Sequence, residues 1–305
     1  MNPNDSPEIR IDKHAVRASF NRAVNSYEQH AILQKEVLSR LFDRLEWIKL
    51  QPRTILDLGS GIGTGSTQLL QRYPKSHVIS LDFAENMLTY AKKQRSLLQK
   101  WRYQQSFLCA DAEHLPLADH SIDMIFSNLT LQWCQNLPRL FAEFARVLKP
   151  EGLLMFTTLG PDTLKELRHA WLQEDRRAHV NAFFDMHDIG DQLLRAKLSD
   201  PVLDVEYIKL HYKNTTDVTK DLKGIGARNM LAQRHRGLTG KNTLKAVTAR
   251  YEQLREEGGL PCTYEVIFGQ AWATVDHAQN AHEKGQPAFS IEQLKAQLPS
   301  QRSKD

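Results

Sequence analysis

The sequence predicts an α/β protein built on a doubly wound, mostly parallel sheet. Three observations carry this prediction. Short apolar, β-branched runs alternate with helical periods between Thr54 and Thr158. A glycine-rich turn, Asp57-Leu58-Gly59-Ser60-Gly61-Ile62-Gly63-Thr64-Gly65, follows the first such run. Acidic or amide residues then recur where successive runs end, at Asp57, Asp82, Asp111 and Asn128. Strict β-α alternation implies parallel strands covered by helices on both faces.

The elements follow in order. The first dozen residues are polar, and from His14 to about Leu50 the spacing of Val16, Phe20, Ala23, Tyr27 and Ala31 is helical, ending at Pro52. Thr54 to Leu58 reads as a strand, Thr67 to Arg72 as helix, and His77 to Leu81 as a second strand. A helix over Glu85 to Leu98 leads to strands at Ser106 to Cys109 and Ile122 to Ser127. Leu137, Leu140, Phe141, Phe144, Val147 and Leu148 then form an apolar helical stripe. A turn at Lys149-Pro150-Glu151-Gly152 precedes a strand from Leu153 to Thr158.

Beyond Gly160 the pattern loosens. Pro161 can open a helix carrying Leu164, Leu167 and Trp171. A short helix near Asp188 to Ala196 precedes a long strand from Val202 to Tyr212. Helices over Val218 to Ala232 and Thr243 to Glu256 precede a last strand from Tyr264 to Trp272. The expected organisation is a tail and cap helices at 1–50, and one α/β domain at 51–272. That domain carries lid insertions at about 161–200 and 217–258, and a polar, flexible tail follows at 273–305.

Composition excludes several classes. The 305 residues are 41% hydrophobic and 25% charged, ordinary for a globular protein and unlike a fibrous or fully disordered chain. A net charge of +4 makes a uniformly basic nucleic-acid coat unexpected while leaving room for a local patch. Cys109, Cys134 and Cys262 are scattered and odd in number, which argues against a disulfide framework or zinc site and fits a reducing cytosol. The first residues lack the apolar core of a secretory signal. No apolar run approaches the roughly 20 residues that span a bilayer. A cytoplasmic protein without membrane or nucleic-acid partners is expected. No metal site is expected either, because the 12 histidines show no H-x₃-H spacing beside a carboxylate.

The glycine loop is the sharpest local signal. Its glycines allow close backbone approach to a ligand and a tight turn into a helix N-terminus. A P-loop would need G-K-[ST], which is absent, and G-x-G-x-x-G fits only without its last glycine. Asp82, ending the second strand, can accept both hydroxyls of a ribose; the alternative is that it caps the helix from Glu85. Ligands of such sheets sit at the carboxyl ends of the strands, near the switch point. Asp57, Asp82, Asp111 and Asn128 all fall there.

These four positions together resemble the class I S-adenosyl-L-methionine-dependent methyltransferases, with their Rossmann-like sheet whose last strand is antiparallel. The resemblance implies that Asp57 with Gly59, Gly61 and Gly63 holds the methionine part. It places the ribose at Asp82, with Phe83 and Met87 beside it, the adenine at Asp111 and Ala112, and the reactive centre next to Asn128. Asn-Pro-Pro-Tyr is missing, since Leu129-Thr130 follows Asn128, and Pro261-Cys262 comes too late to be a cytosine-attacking pair. Further segments resemble one family, the malonyl-acyl-carrier-protein O-methyltransferases of biotin biosynthesis. These are Asn25 to Ala31, Ser127 to Cys134, Phe184 to Asp191, Gly237 to Lys241 and Tyr264 to Gly269. The mitochondrial complex I assembly proteins of similar fold share Met186-His187-Asp188-Ile189-Gly190. A cofactor-binding assembly factor is therefore an alternative, as is methylation of a small free carboxylate.

The implied reaction esterifies the malonyl carboxylate, so that the unit serves as primer for the pimeloyl chain. That carboxylate, with a pKa of about 3–4, is already an ionised nucleophile at neutral pH and needs no general base. Catalysis then rests on placement and exclusion of water. Tyr27 and Trp133 are candidate catalytic residues that shield the cation, with core packing as the alternative for each. His187 either contacts substrate or caps the helix after it. Between Asp221 and Glu252 lie seven cations and no acid: Lys223, Arg228, Arg234, Arg236, Lys241, Lys245 and Arg250. Charge so segregated suggests an acidic macromolecule, here an acyl carrier protein, with docking centred on Gln233 to Lys241. RNA fits less well, because aromatic interleaving is absent.

Overall fold

A computed structural model describes residues 11–172, 174, 179–232, 234, 237 and 239–274. The chain falls into two units, Met1–Ala273 and Thr274–Asp305, and the described strands and helices belong to the first. From residue 275 the expected tail lies outside the described residues, as do Gln233 and Arg236 of the basic stretch.

The strands are β1 (Thr54–Leu58), β2 (His77–Asp82), β3 (Gln104–Cys109), β4 (Ile122–Ser127), β5 (Leu148–Leu159), β6 (Leu198–Tyr212) and β7 (Leu260–Ala273). They form one sheet in the order β3-β2-β1-β4-β5-β7-β6. The pairs among β1 to β5 are parallel, and β7 lies antiparallel between β5 and β6. β1 therefore stands between β2 and β4, where the winding reverses and a ligand crevice forms at the strand ends. Asp57 pairs in register with Ser80 and Phe126, and Asp82 with Cys109, which brings the polar ends to one rim.

Each sheet face packs its own core. Ile55, Met124, Phe126, Leu153 and Met155 meet α2 (Ile32–Leu45) and α3 (Thr64–Arg72). Their neighbours Leu56, Ile125, Leu154 and Phe156 point to the other face, as the two-residue period requires. There they meet α6 (Leu137–Val147), whose Leu137, Leu140, Phe141, Phe144 and Val147 are all buried at about 1.5–3 kcal/mol each. Asn136 caps this helix by accepting from Arg139 N at 2.9 Å.

Some elements differ from expectation. The N-terminal helical stretch is two helices, α1 (Lys13–His30) and α2, hinged at Ala31 (φ −82°, ψ 43°). The helix from Glu85 stops at Gln94 as α4, and α5 (Leu97–Arg102) restarts behind a Ser96/Gln99 capping box. The lid region carries α7 (Lys165–Leu172), α8 (Met186–Arg195), α9 (Thr215–Gly224) and α10 (Lys241–Glu252). The helix expected through Ala232 thus ends at Gly224. Gly226, at φ +79°, packs its backbone against Phe20 and Ala23 and turns the chain onto α1. No helix among the described residues is long and apolar enough to cross a membrane.

Candidate active site

The turn after β1 is built by two glycines with different tasks. Gly59 has φ +71°, and a Cβ there would fall 2.0 Å from Thr130 Oγ1, so only glycine fits against the loop after β4. Gly61 has φ +52° and open space where its side chain would be, so its backbone forms part of the crevice wall. Its N–H donates to Asp82 Oδ2 at 2.8 Å. Gly63, expected beside the ligand, lines neither crevice cavity; it caps α3 and abuts Ala91.

The strand-end acids sit in distinct environments. Asp57 is buried and accepts from Ser66 Oγ, which in turn meets Ser80 Oγ at 2.7 Å. Burial, with the charge of Asp82 adding to it, pushes the Asp57 carboxyl up to about 7 against the bond from Ser66. Asp82 accepts from Gly61 N and from Ala84 N at 2.7 Å, yet burial outweighs these bonds and raises its pKa. It does not cap α4, whose N-cap is Ala84. Asp111 accepts from Lys13 Nζ at 2.6 Å, and Lys13 also meets Glu113 at 2.9 Å. Asn128 donates to Gln34 O and accepts from Thr157 Oγ1, tying β4 to α2 and β5. Lys13 was not visible from sequence, because 98 positions separate it from Asp111 and only the folding back of α1 joins them.

α1 roofs the crevice. Asp12 caps it by accepting from Ala15 N at 3.0 Å, and its own N–H donates to Met230 O at 2.8 Å. Val16, Phe20 and Tyr27 share the face that Lys13 starts, and all four line the cavity formed with Asp82, Phe83, Met87, Asp111, Ala112 and Trp133. A second cavity, around Asp57, Ser60, Gly61 and Gln34, adjoins it. A third, of about 300 Å³, opens among Leu129, Leu164, Trp171, Phe183, Leu222 and Tyr264. Tyr27 lines all three. Its phenol is held far above its ordinary pKa by burial and then by the Asp82 charge, so it stays neutral. Trp133 lines the first and third cavities and packs edge-on against Phe20, with centroids 5.3 Å apart.

Other expected site residues fall elsewhere. The His187 side chain is 87% exposed and meets Asp185 Oδ1 at 2.8 Å, at the start of α8. It lines none of these cavities, and α8 is capped by Asp185, whose Oδ1 accepts from His187 N at 2.8 Å. Lys223 and Arg228 are exposed and line the 300 Å³ chamber, while Lys241 is exposed at the start of α10. Arg234 is half-buried and pairs with Asp12 at 3.2 Å, so it fastens α1 rather than facing a partner. The sequence pattern marks no site role for the chamber contacts Gln34, Thr163, Trp171, His179 and Tyr264, since three of the five come from the irregular lid region.

The methyltransferase-domain family matches residues 56–156, the span from β1 into β5. The YcgJ protein of Bacillus subtilis has this fold, with a TM-score of 0.56 at 14% identity over 77% of this chain and 98% of its own. So does phosphoethanolamine N-methyltransferase 2 of Haemonchus contortus in complex with S-adenosyl-L-methionine. Its TM-score is 0.51 at 19% identity, over 84% of this chain and 57% of that one. With the acidic crevice at the switch point, these findings define a methyltransferase-domain protein with the class I methyltransferase fold.

Curated relatives narrow the class. The malonyl-[acyl-carrier protein] O-methyltransferase of Gallionella capsiferriformans is 52% identical over 87% of this chain and 92% of its own length. Those of a Methylovorus species and of Legionella pneumophila are 53% and 42% identical, over 86% and 88% of this chain and 89% and 93% of theirs. The chain belongs to the malonyl-[acyl-carrier protein] O-methyltransferase family.

Proposed function

We propose that this protein methylates the free carboxyl of a malonyl unit carried by an acyl carrier protein, giving the methyl ester that primes a pimeloyl chain. The observation that carries the reading is the meeting of two crevice cavities and one apolar chamber at Tyr27. Kinship to enzymes named for this reaction supports it.

The crevice suits S-adenosyl-L-methionine. Ser60 Oγ and Gln34 Oε1 line the cavity beside Asp57 and are buried without hydrogen-bond partners, as groups awaiting an amino-acid moiety would be. Asp82, Phe83 and Met87 would hold the ribose side, and Asp111 and Ala112 the base, once Lys13 shares its carboxylate. The cofactor supplies an electrophilic methyl group on a sulfonium. Tyr27, Phe20 and Trp133 form the aromatic wall between crevice and chamber and exclude water there. Their ring faces suit a neighbouring cation. Lys223 and Arg228, the Lys and Arg side chains lining the chamber, would draw in the acceptor carboxylate. No residue need remove a proton, since that carboxylate is ionised.

Label transfer tests the reading. Purified protein with methyl-labelled S-adenosyl-L-methionine should label malonyl-carrier protein in preference to malonyl-coenzyme A or free malonate. Label on free malonate alone would instead favour a small-acid methyltransferase. Cofactor binding without transfer to any acceptor would favour an assembly factor.

A further inference from the structure

A groove of about 370 Å³ lies directly behind the chamber. The two share Trp171, His179, Val180, Asn181 and Phe183, so these side chains form a common wall. In that wall the rings of Trp171 and His179 stack at 3.7 Å with an angle of 12°. Leu172, Ala182 and Leu231 make most of the remaining groove apolar. Arg168, half-buried, also lines the groove. It donates to Pro161 O at 2.7 Å and Thr163 O at 3.0 Å, and forms no ion pair among the described residues. Burial lowers its pKa, as it does for a cation whose surroundings only partly replace water. Asn181 fixes the inner side by accepting from Met230 N at 2.8 Å and donating to Arg228 O at 3.3 Å.

An apolar groove lined, among the described residues, by the one guanidinium of Arg168, and sharing an aromatic wall with a reaction chamber, suits a long neutral chain ending in phosphate. We propose that this groove is the subsite for a phosphopantetheine arm, with Arg168 holding the phosphate and the Trp171–His179 stack flanking the passage of the thioester end into the chamber. The inference rests on the malonyl-thioester reading of the function. The same arm occurs in acyl carrier proteins and in coenzyme A, so the groove explains recognition of the arm. The exposed cations of the surface would distinguish its two sources.

Calorimetric binding of 4′-phosphopantetheine and of unphosphorylated pantetheine tests the subsite apart from turnover. The wild-type protein should prefer the phosphorylated arm by about tenfold or more, the scale of one charge-assisted hydrogen bond. Arg168→Gln should erase that preference while leaving pantetheine binding within about twofold. Equal binding of the two arms by wild type, or a preference that survives in Arg168→Gln, would overturn the subsite. Because both arms are compared in the same variant, a general loosening around Pro161 would weaken both and leave their ratio intact. A ratio that persists in that way counts against the proposal. Kinetics with malonyl-carrier protein and malonyl-coenzyme A add the source: both should lose kcat/KM in Arg168→Gln. Phosphate-selective binding without methyl transfer would sustain the subsite and refute the proposed reaction; methyl transfer without Arg168-dependent selectivity would do the reverse.

Discussion

Asp57, a buried carboxyl lining the crevice proposed for the cofactor, would link protonation to cofactor capture. Its raised pKa of about 7 arises from burial first and from Asp82 second. In the unfolded chain the group would titrate near 3.8, so between these values the folded protein binds the extra proton. Its contribution to stability therefore declines as pH rises from about 4 to about 7. Affinity for a cationic ligand runs the other way, since such a ligand favours the carboxylate. From about pH 6 to about pH 8, S-adenosyl-L-methionine should bind roughly tenfold more tightly, one pKa unit being worth a factor of ten. Asp57→Asn should flatten this profile. Equilibrium binding across that range decides the matter, and an unchanged slope in Asp57→Asn would assign the titration to another group.

At the scale of elements, α1 is what turns an open crevice into an enclosed one. Its first turn is held by Asp12 through the cap to Ala15 N, the pair with Arg234 and the backbone bond to Met230, among other contacts. Its last turn is held by His30 against Asp221 at 2.7 Å and by Ser26 Oγ donating to Gly224 O at 2.9 Å. Asp12→Ala should remove a cap worth about 0.5–2 kcal/mol. Thermal melting should fall by about 1–3 °C for a chain of this size. Cofactor affinity should drop too, because Lys13, Val16, Phe20 and Tyr27 line the crevice from this helix. Asp12→Asn, which keeps a capping oxygen and loses the charge pair, should lie between. Loss of stability without loss of affinity would show that the crevice forms independently of the first turn.

The sequence shows such elements where periodicity has a core to report. The stripe of α6 is legible because five of its side chains are buried, and the glycine turn because its neighbours are a strand and a helix. α5 escapes because none of its residues is buried, so no apolar period marks it. The overrun of α9 has a similar cause: residues beyond Gly224 are still apolar at helical spacing, but they pack as a loop against α1. Asp82 and Asp111 are readable from strand ends, whereas Lys13 and Gln34 owe their positions to a helix folding back over the sheet. The motif around His187 is legible as a helix start, since Asp185 caps α8 and Ile189 anchors it in the core.

For the molecule as a whole, the net charge of +4 conceals an uneven distribution. Of the basic stretch from Lys223 to Arg250, Arg234 is neutralised by Asp12 and Arg250 by Glu174. Lys223, Arg228, Lys241 and Lys245 remain exposed, the first two beside the chamber. An acidic carrier approaching that edge would be steered by charges in water, where the screening length is about 10 Å at 0.1 M salt and about 3 Å at 1 M. The crevice proposed for the cofactor instead has half-buried or buried polar groups, where screening is weaker. Raising salt from about 50 mM to about 500 mM should therefore increase KM for the carrier substrate several-fold, acting mainly through association rate. Cofactor affinity should change much less. Lys241→Glu with Lys245→Glu should raise KM at low salt and flatten its salt dependence, because the attraction being screened is gone. Arg234→Glu should behave differently, setting two acids together at the start of α1 and lowering stability and cofactor affinity alike. Should KM for the carrier prove indifferent to salt and to the paired reversals, docking would have to lie on another face of the sheet.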